Sequence, residues 1–260
     1  MIFHQAHNSL TNYNYNAYFY TDRLWDFHFH KNLELICVLE GNVKCIINNT
    51  EYCLSDGEFG LCLPYDIHSY EPQENTLYWV LVFSEDYVRF LSKELTGKMG
   101  KGFSFRCTDA VDKYIREQLI FNKNYSILTL KSCLYAICEQ YMKDVKLIER
   151  DKKKYEMISS IADYISQNHI NKITLSNIAS KFGYDYNYMS RYFRKVFNMT
   201  FSDFVNIYRL ETAIALLEDT NKDIITIAYE SGFQSVRNFN DVFKKNMKIT
   251  PSQYRKAALE

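Results

Sequence analysis

The stretch IASKFGYDYNYMSRYFRKVF, residues 178–197, decides what the C-terminal part of this chain folds into. Its apolar start is interrupted by Gly183, a residue type that readily ends a helix in the left-handed conformation. Asp185 follows as a helix N-cap, and Met189 and Phe193 come four and eight residues after it. The stretch therefore predicts two helices joined by a tight turn, a helix-turn-helix unit.

The same pattern returns in IAYESGFQSVRNFNDVFKKNM, residues 227–247. Both copies open on Ile-Ala, have Gly four residues after the Ala, and carry Phe eight residues after the cap. A basic pair follows that Phe in each copy. A plain helical bundle is the alternative interpretation, but two copies in register favour DNA binding over chance similarity.

Four positions after each cap face away from the predicted core and offer donors, acceptors and apolar contacts to base edges in a major groove. The basic pair lies one turn further on, near the sugar-phosphate backbone. The predicted DNA-binding residues are Tyr186, Asn187, Ser190, Arg191, Arg194 and Lys195 in the first unit, and Val236, Arg237, Asn240, Asp241, Lys244 and Lys245 in the second. Charge agrees: residues 151–260 hold 16 Lys and Arg against 12 Asp and Glu in a chain of zero net charge.

Residues 155–256 resemble the DNA-binding domain of AraC/XylS-type transcription regulators. The resemblance rests on the two repeats, on the helix FVNIYRLETAIALL between them and on the closing TPSQYRK. It implies a regulator whose partners are double-stranded DNA, a small-molecule effector, RNA polymerase and a second copy of the chain. The chain departs from the family at Asn198 and Lys248, where Gly is usual, and at Asp241, where Arg is frequent. Asp241 is expected to orient Arg237 or to alter base preference.

Residues up to about 83 read as short strands separated by turn signals such as Asn48-Asn49 and Asp56-Gly57. Such a pattern predicts an antiparallel β-barrel, and helical periodicity takes over from about residue 109. The predicted fold is α+β and multidomain. The predicted divisions are 1–106 for the sensing barrel, 107–148 for a helical dimerisation segment, 149–154 for a linker and 155–260 for the DNA-binding domain.

The segment HFHKNLELICVLEG, which begins at His28, matches the first signature of the cupin fold, and GEFGLCLPYDIHSY loosely matches the second. His28, His30 and Glu34 differ by even numbers, so on a strand they face one side, where His68 completes a cluster. Metal-binding cupins place their ligands at these positions, which leaves a metalloenzyme fused to a DNA-binding module as one alternative. Effector binding is preferred, without a cofactor and without catalysis. The predicted lining, for which a sugar-like ligand is one candidate, is His28, His30, Glu34, His68, Trp25 and Tyr65.

Helices at about 109–147 repeat apolar residues at helical spacing: Ile115, Leu119, Leu130, Leu134, Ile137 and Tyr141. This stripe predicts a homodimer contact, and the alternative is that it packs only on the barrel. The seven cysteines include no C-x-x-C pair, which disfavours a disulfide framework. The sequence shows no secretory signal and no membrane-length apolar run, so we expect a cytoplasmic protein. A ligand-independent DNA-binding protein is the remaining alternative.

Overall fold

The computed structural model describes residues 3–4, 15–197 and 199–258. It divides into two compact units: residues 7–157 hold the β-sheets, and residues 158–260 hold the C-terminal helices and are grouped with residues 3–4. Asn198, one of the departures from the family pattern, lies outside the described residues. In the part of the chain that is described, no helix has the length and apolar character needed to cross a membrane.

The strand bounds are β1 Phe3–His4, β2 Tyr15–Thr21, β3 Trp25–Phe29, β4 Leu33–Glu40, β5 Asn42–Ile47, β6 Thr50–Ser55, β7 Glu58–Cys62, β8 His68–Pro72, β9 Leu77–Phe83, β10 Lys98–Gly100, β11 Ser104–Arg106 and β12 Leu147–Glu149. The described part of the first unit contains two large antiparallel sheets and a small one formed by β10 and β12. One large sheet has the strand order β11-β7-β4-β9-β2 and the other includes β3-β8-β5-β6. A hairpin joins β5 to β6 through Asn48 and Asn49, whose positive φ angles of 49° and 68° match a tight turn.

Strand β4 is buried on both faces, which explains why its buried residues are apolar apart from Glu34. Leu33 and Leu35 belong to a core shared with the helices, whereas Ile36 and Val38 belong to a core shared with the other sheet. The two sheets therefore pack face to face. They do not close into a barrel, but the antiparallel β class predicted for this part of the chain is confirmed.

Helices cover the outer side of the first sheet. Their bounds are α1 Arg89–Glu94, α2 Asp109–Ile115, a π-helical turn Arg116–Ile120, and α3 Ile127–Asp144, with a 3₁₀ turn at Glu85–Val88 before α1. The apolar stripe predicted to form the dimer contact lies inside this core. Ile115, Leu130 and Leu134 are 0% exposed and pack on the sheet. The prediction that this stripe faces a second copy is wrong, because the sheet needs an apolar cover and the stripe supplies it.

The second unit is helical. Its elements are α4 Lys152–Asn168, which begins before the division between the units, then α5 Leu175–Phe182, α6 Tyr186–Phe197, α7 Phe201–Asp219, α8 Ile224–Glu230, α9 Val236–Met247 and α10 Pro251–Ala258. Gly183 ends α5 at φ 71° and Gly232 follows α8 at φ 91°. Both turns therefore have the left-handed residue that the repeat predicts. The segment 149–154 predicted as a linker contains the end of β12 and the start of α4.

Candidate functional site

Four polar side chains meet between the two sheets: His28, His30, Glu34 and His68, each 1–2% exposed. We call them the His–Glu cluster. Its candidate ligand atoms all lie within 4.8 Å of one another. His30 Nε2 is 2.9 Å from Glu34 Oε2, and His68 Nε2 is 3.5 Å from Glu34 Oε1. The structure thus brings together the four residues singled out from the sequence.

Even-numbered spacing along one strand does not by itself explain why these four side chains meet. His28 lies in β3 of one sheet and pairs with His68 of β8, whereas Glu34 lies in β4 of the other sheet. The chain leaves β3 after Phe29, and His30 stands in the crossing segment. The cluster therefore forms where the chain passes from one sheet to the other.

Backbone carbonyls fix the orientation of two of the imidazoles. His30 Nδ1 lies 2.9 Å from the carbonyl oxygen of Asn32, and His68 Nδ1 lies 2.8 Å from that of Asp66. A carbonyl oxygen only accepts, so each Nδ1 must carry hydrogen. In a neutral imidazole Nε2 is then a lone-pair acceptor, and it faces the carboxylate of Glu34, another acceptor. The His30–Glu34 and His68–Glu34 contacts are therefore favourable only when a proton or another cation lies between the imidazole nitrogen and the carboxylate.

The pKa shifts express the same constraint. Burial alone would raise the pKa of Glu34, but His68 and His30 lower it more, so the pKa lies well below its usual value. Burial alone would lower the pKa of His68, whereas Cys62 and Glu34 raise it well above the usual value. Without another cation, the arrangement is therefore a carboxylate beside an imidazolium.

The donor set also fits a divalent transition-metal ion. Among the described residues, His68 Nε2 is a buried polar atom without a hydrogen-bond partner, and it points toward Glu34. Imidazole and carboxylate ligands about 2.1 Å from one ion stand roughly 3.0–3.5 Å apart, close to the separations seen here. The carbonyls on both Nδ1 atoms are the outer partners that metal-ligating histidines use. Three imidazoles and one carboxylate suit zinc, iron, nickel or copper.

The two aromatic candidates differ in position. Trp25 is half-buried, and its ring centre lies 5.9 Å from that of His28. The ring of Tyr65 instead contacts Tyr155, 6.0 Å away, and its backbone N–H donates to the carbonyl of His30 at 2.8 Å. Tyr65 therefore reaches the cluster through its backbone.

Sequence reasoning missed two buried neighbours of the cluster. Cys62 pairs in register with Glu34, and its Sγ lies 3.3 Å from the hydroxyl of Tyr70. Both are fully buried beside His68. The segment GLCLPYDIHSY contains a hint, because Cys62 and Tyr70 both stand an even number of residues from His68. That spacing becomes informative only when the strand pairing is known.

The second unit presents α6 and α9 as the second helices of two helix-turn-helix units. Asp185 caps α6 by accepting from the N–H groups of Asn187 and Tyr188 at 2.8 and 3.1 Å. Ser235 caps α9 by accepting from the N–H of Asn238 at 3.2 Å. The predicted DNA-binding residues on these helices are exposed, except that Ser190 and Val236 are half-buried.

Several of these residues have contacts within the unit. Val236 packs against the apolar core beneath α9, so we remove it from the predicted face. Lys245 Nζ lies 3.7 Å from Asp203 Oδ1 on α7, so part of its charge is neutralised within the unit. Arg237 Nε lies 4.0 Å from Asp241 Oδ2, the separation expected if Asp241 orients Arg237.

Comparisons with known proteins also divide the chain into a ligand-binding part and a DNA-binding part. A family model described as "AraC-like ligand binding domain" matches residues 14–148, just over half of the chain. The chain belongs to the AraC family of transcription regulators. A second family model, "Helix-turn-helix domain", matches residues 178–257. The AraC-type ligand-binding domain thus contains the His–Glu cluster, and the helix-turn-helix domain contains α6 and α9.

AraC-family relatives match most of the chain. It is 23% identical to the melibiose operon regulatory protein of Escherichia coli (strain K12), over 88% of this chain and 83% of that protein. It is 25% identical to the transcriptional activator RhaS of Mannheimia succiniciproducens, over 88% of each. ToxT of Vibrio cholerae, solved with an unsaturated fatty acid bound, has a similar fold with a TM-score of 0.61, at 18% identity over 93% of this chain and 94% of that chain. The melibiose and RhaS relatives are named as regulators, and this chain, with its ligand-binding and helix-turn-helix domains, is a transcription regulator of the same family.

Proposed function

We propose that the effector of this regulator binds at the His–Glu cluster. The observation that supports the proposal is the burial of four polar side chains between two apolar sheet faces, in a domain whose family binds ligands. Burying such groups costs stability unless they are paired, and a ligand-binding role explains why they are there. The effector acts by shifting the populations of conformations that occupy DNA. We propose that the regulator binds its effector and its DNA in the cytoplasm.

A sugar-like effector is the first candidate. Its hydroxyl groups donate to Glu34 and accept from the imidazolium of His68, and the ring of Trp25 lies beside His28. The name of the melibiose operon regulatory protein supports testing sugars first.

A divalent metal ion is the second candidate effector, and a specific observation favours it. Both Nε2 lone pairs face the Glu34 carboxylate, and His68 Nε2 has no hydrogen-bond partner in the described part of the chain. His28, His30, His68 and Glu34 would hold the ion, which supplies the positive charge that the two acceptors need.

Titration of the full chain with sugars and with Zn²⁺ and Mn²⁺, followed by DNA footprinting, tests both candidates. We expect one ligand to bind, to change the occupied sites, and to lose affinity in Glu34→Gln. His68→Gln should act in the same way. The matched control is His169→Gln, since His169 lies in the other unit and contacts Thr212. Occupancy and transcription that stay constant with every ligand that binds would refute the proposal.

We propose that α6 and α9 read base edges, and that Arg194, Lys195 and Lys244 contact phosphates. The exposed polar faces and the basic last turns of both helices support this. RNA polymerase as a further partner rests on the family resemblance.

We propose that the chain forms a homodimer through the outer face of α2 and α3. On this face Tyr114, Leu128 and Tyr135 are 40%, 75% and 44% exposed, and the last two stand seven residues apart on α3. Exposed apolar side chains that recur on one helix face are typical of interfaces. A dimer would double the number of helix-turn-helix units on one operator.

A further inference from the structure

One loop holds two members of the His–Glu cluster through its backbone. The N–H of Tyr65 donates to the carbonyl of His30 at 2.8 Å. The carbonyl of the next residue, Asp66, lies 2.8 Å from His68 Nδ1. Consecutive residues of the loop therefore hold His30 and His68, and neither histidine can shift without disturbing this loop.

The side chain of Asp66 connects the same loop to the start of the C-terminal part of the chain. Asp66 Oδ1 accepts from Arg150 Nη2 at 2.7 Å, with side chains that are 8% and 13% exposed. Its Oδ2 accepts from the N–H of Leu63 at 3.0 Å, and Asn48 donates to Oδ1 at 2.8 Å. Asp66 is thus fixed on the loop side, and a nearly buried ion pair of this kind is costly to leave half-formed.

Arg150 and Tyr155 bring the connection to α4. The Arg150 guanidinium lies over the ring of Tyr155, 4.1 Å from its centre, and that ring contacts Tyr65. The backbone N–H of Arg150 donates to the carbonyl of Gly97 at 2.9 Å, directly after strand β12. Tyr155 lies in the first turns of α4, and α4 continues past Met157 into the second unit.

We propose that Asp66 and Arg150 form a latch that transmits the state of the His–Glu cluster to the start of α4. The inference rests on the proposed function, since it describes how that site is read. A ligand that binds to His30 or His68 and shifts its ring displaces the Tyr65–Asp66 loop. The displaced Asp66 then changes its contact with Arg150. Arg150 then changes how firmly the first turns of α4 are held.

Amide hydrogen exchange and DNA affinity of the full chain test the latch, with a sequence-selected DNA site as the probe. In Arg150→Gln we expect exchange in residues 150–157 to become about tenfold faster, because a hydrogen bond to a charged group is lost. Arg89→Gln is the matched control: it removes the exposed Arg89–Asp86 pair at 3.1 Å in the same unit and should leave these amides unchanged.

A double-mutant cycle then measures the coupling without any effector. Glu34→Gln perturbs the cluster directly, and we expect it to change DNA affinity in the wild-type background but to lose most of that effect when Arg150→Gln is present. Equal effects of Glu34→Gln in both backgrounds would overturn the latch while leaving the proposed function standing. If Glu34→Gln changes neither ligand binding nor DNA affinity, the proposed function fails instead. Arg150→Met, which also removes the charge but keeps an apolar side chain on Tyr155, replaces Arg150→Gln in the cycle if the latter does not fold.

Discussion

His30 and His68 owe their chemical state to backbone carbonyls two residues away. Asn32 and Asp66 accept from the two Nδ1 atoms and so leave both Nε2 atoms for Glu34. The residue types H-x-H-x3-E allow a core contact, a polar ligand site or a metal site equally well. The positions of the Nδ1 hydrogens narrow these options to arrangements in which a cation neutralises Glu34.

Lys248 occupies a position that suits glycine. It ends α9 with φ 67°, and its N–H donates to the carbonyl of Lys244 at 3.0 Å. Left-handed backbone costs a non-glycine residue about 1 kcal/mol, so Lys248→Gly should raise the free energy of unfolding by about that amount. Urea denaturation measures it, with Lys244→Gly inside the same helix as a control that should lower stability by about 1 kcal/mol. A loss of stability in Lys248→Gly would contradict the explanation.

The two turn glycines should differ in their tolerance of a side chain. A Cβ at Gly232 would stand 2.6 Å from the carbonyl oxygen of His169 and from Cα of Ile170, whereas a Cβ at Gly183 has no heavy atom within 4 Å. Gly183→Ala should therefore cost about 1 kcal/mol for its backbone conformation alone. Gly232→Ala should cost at least twice as much, because backbone atoms must move. Thermal unfolding of both variants compares them, and equal losses would show that the close approach has no energetic weight.

At the scale of elements, α6 and α9 repeat one design with different surfaces. Both begin at a side-chain cap, bury aromatic or apolar residues four apart, and have a basic pair in the last turn. On α9 the outer face is reduced, since Val236 packs inward and Arg237 stands beside Asp241. We therefore expect α6 to contribute more to base recognition than α9.

Arg191→Ala tests base reading by α6. Arg191 is exposed and its Nε donates to the carbonyl of Asn187 at 3.3 Å, so the side chain lies along the outer face. We expect a loss of about 1–3 kcal/mol on the specific DNA site and a relaxed preference at one base pair. Equilibrium binding to specific and random DNA measures both, and equal losses on the two DNAs would refute the role.

Lys244→Ala and Lys245→Ala form a matched pair for the phosphate contacts of α9. Lys244→Ala should weaken binding to all sequences and flatten the dependence of affinity on salt, because one phosphate contact is lost. Lys245→Ala should have the smaller effect, since Asp203 already neutralises part of its charge at 3.7 Å. Titrations at several salt concentrations compare the slopes, and a steeper loss in Lys245→Ala would reverse the assignment.

At the scale of the whole molecule, the helices α2 and α3 have an inner and an outer face. The inner face covers the sheet, so only the outer face is left for a second copy. Leu128→Glu should convert a dimer into monomers, because it places a charge on the most exposed apolar residue of that face. Sedimentation measures the mass. Phe90→Glu, at a residue 64% exposed on α1, is the control that should leave it unchanged.

Local signals in the sequence were enough to predict the turns, the caps and the type of the elements. The two repeats placed Gly183, Asp185 and Ser235 at turns and caps, because left-handed backbone and helix N-termini select residue types directly. Antiparallel strands before residue 83 and helices after 109 followed from periodicities of two and of three to four. The family resemblance over 155–256 relied on these same local patterns.

Features that depend on contacts between distant segments could not be predicted from the sequence and follow from the folded arrangement. The apolar stripe from Leu130 to Tyr141 could have packed on a second copy or on a sheet, because an apolar helix face does not specify what it packs against. In the folded chain it packs on the sheet. The His–Glu cluster needed three strands from two sheets, and the Asp66–Arg150 pair joins residues 84 positions apart. Such pairings are set by packing of the whole unit, which residue spacing does not record.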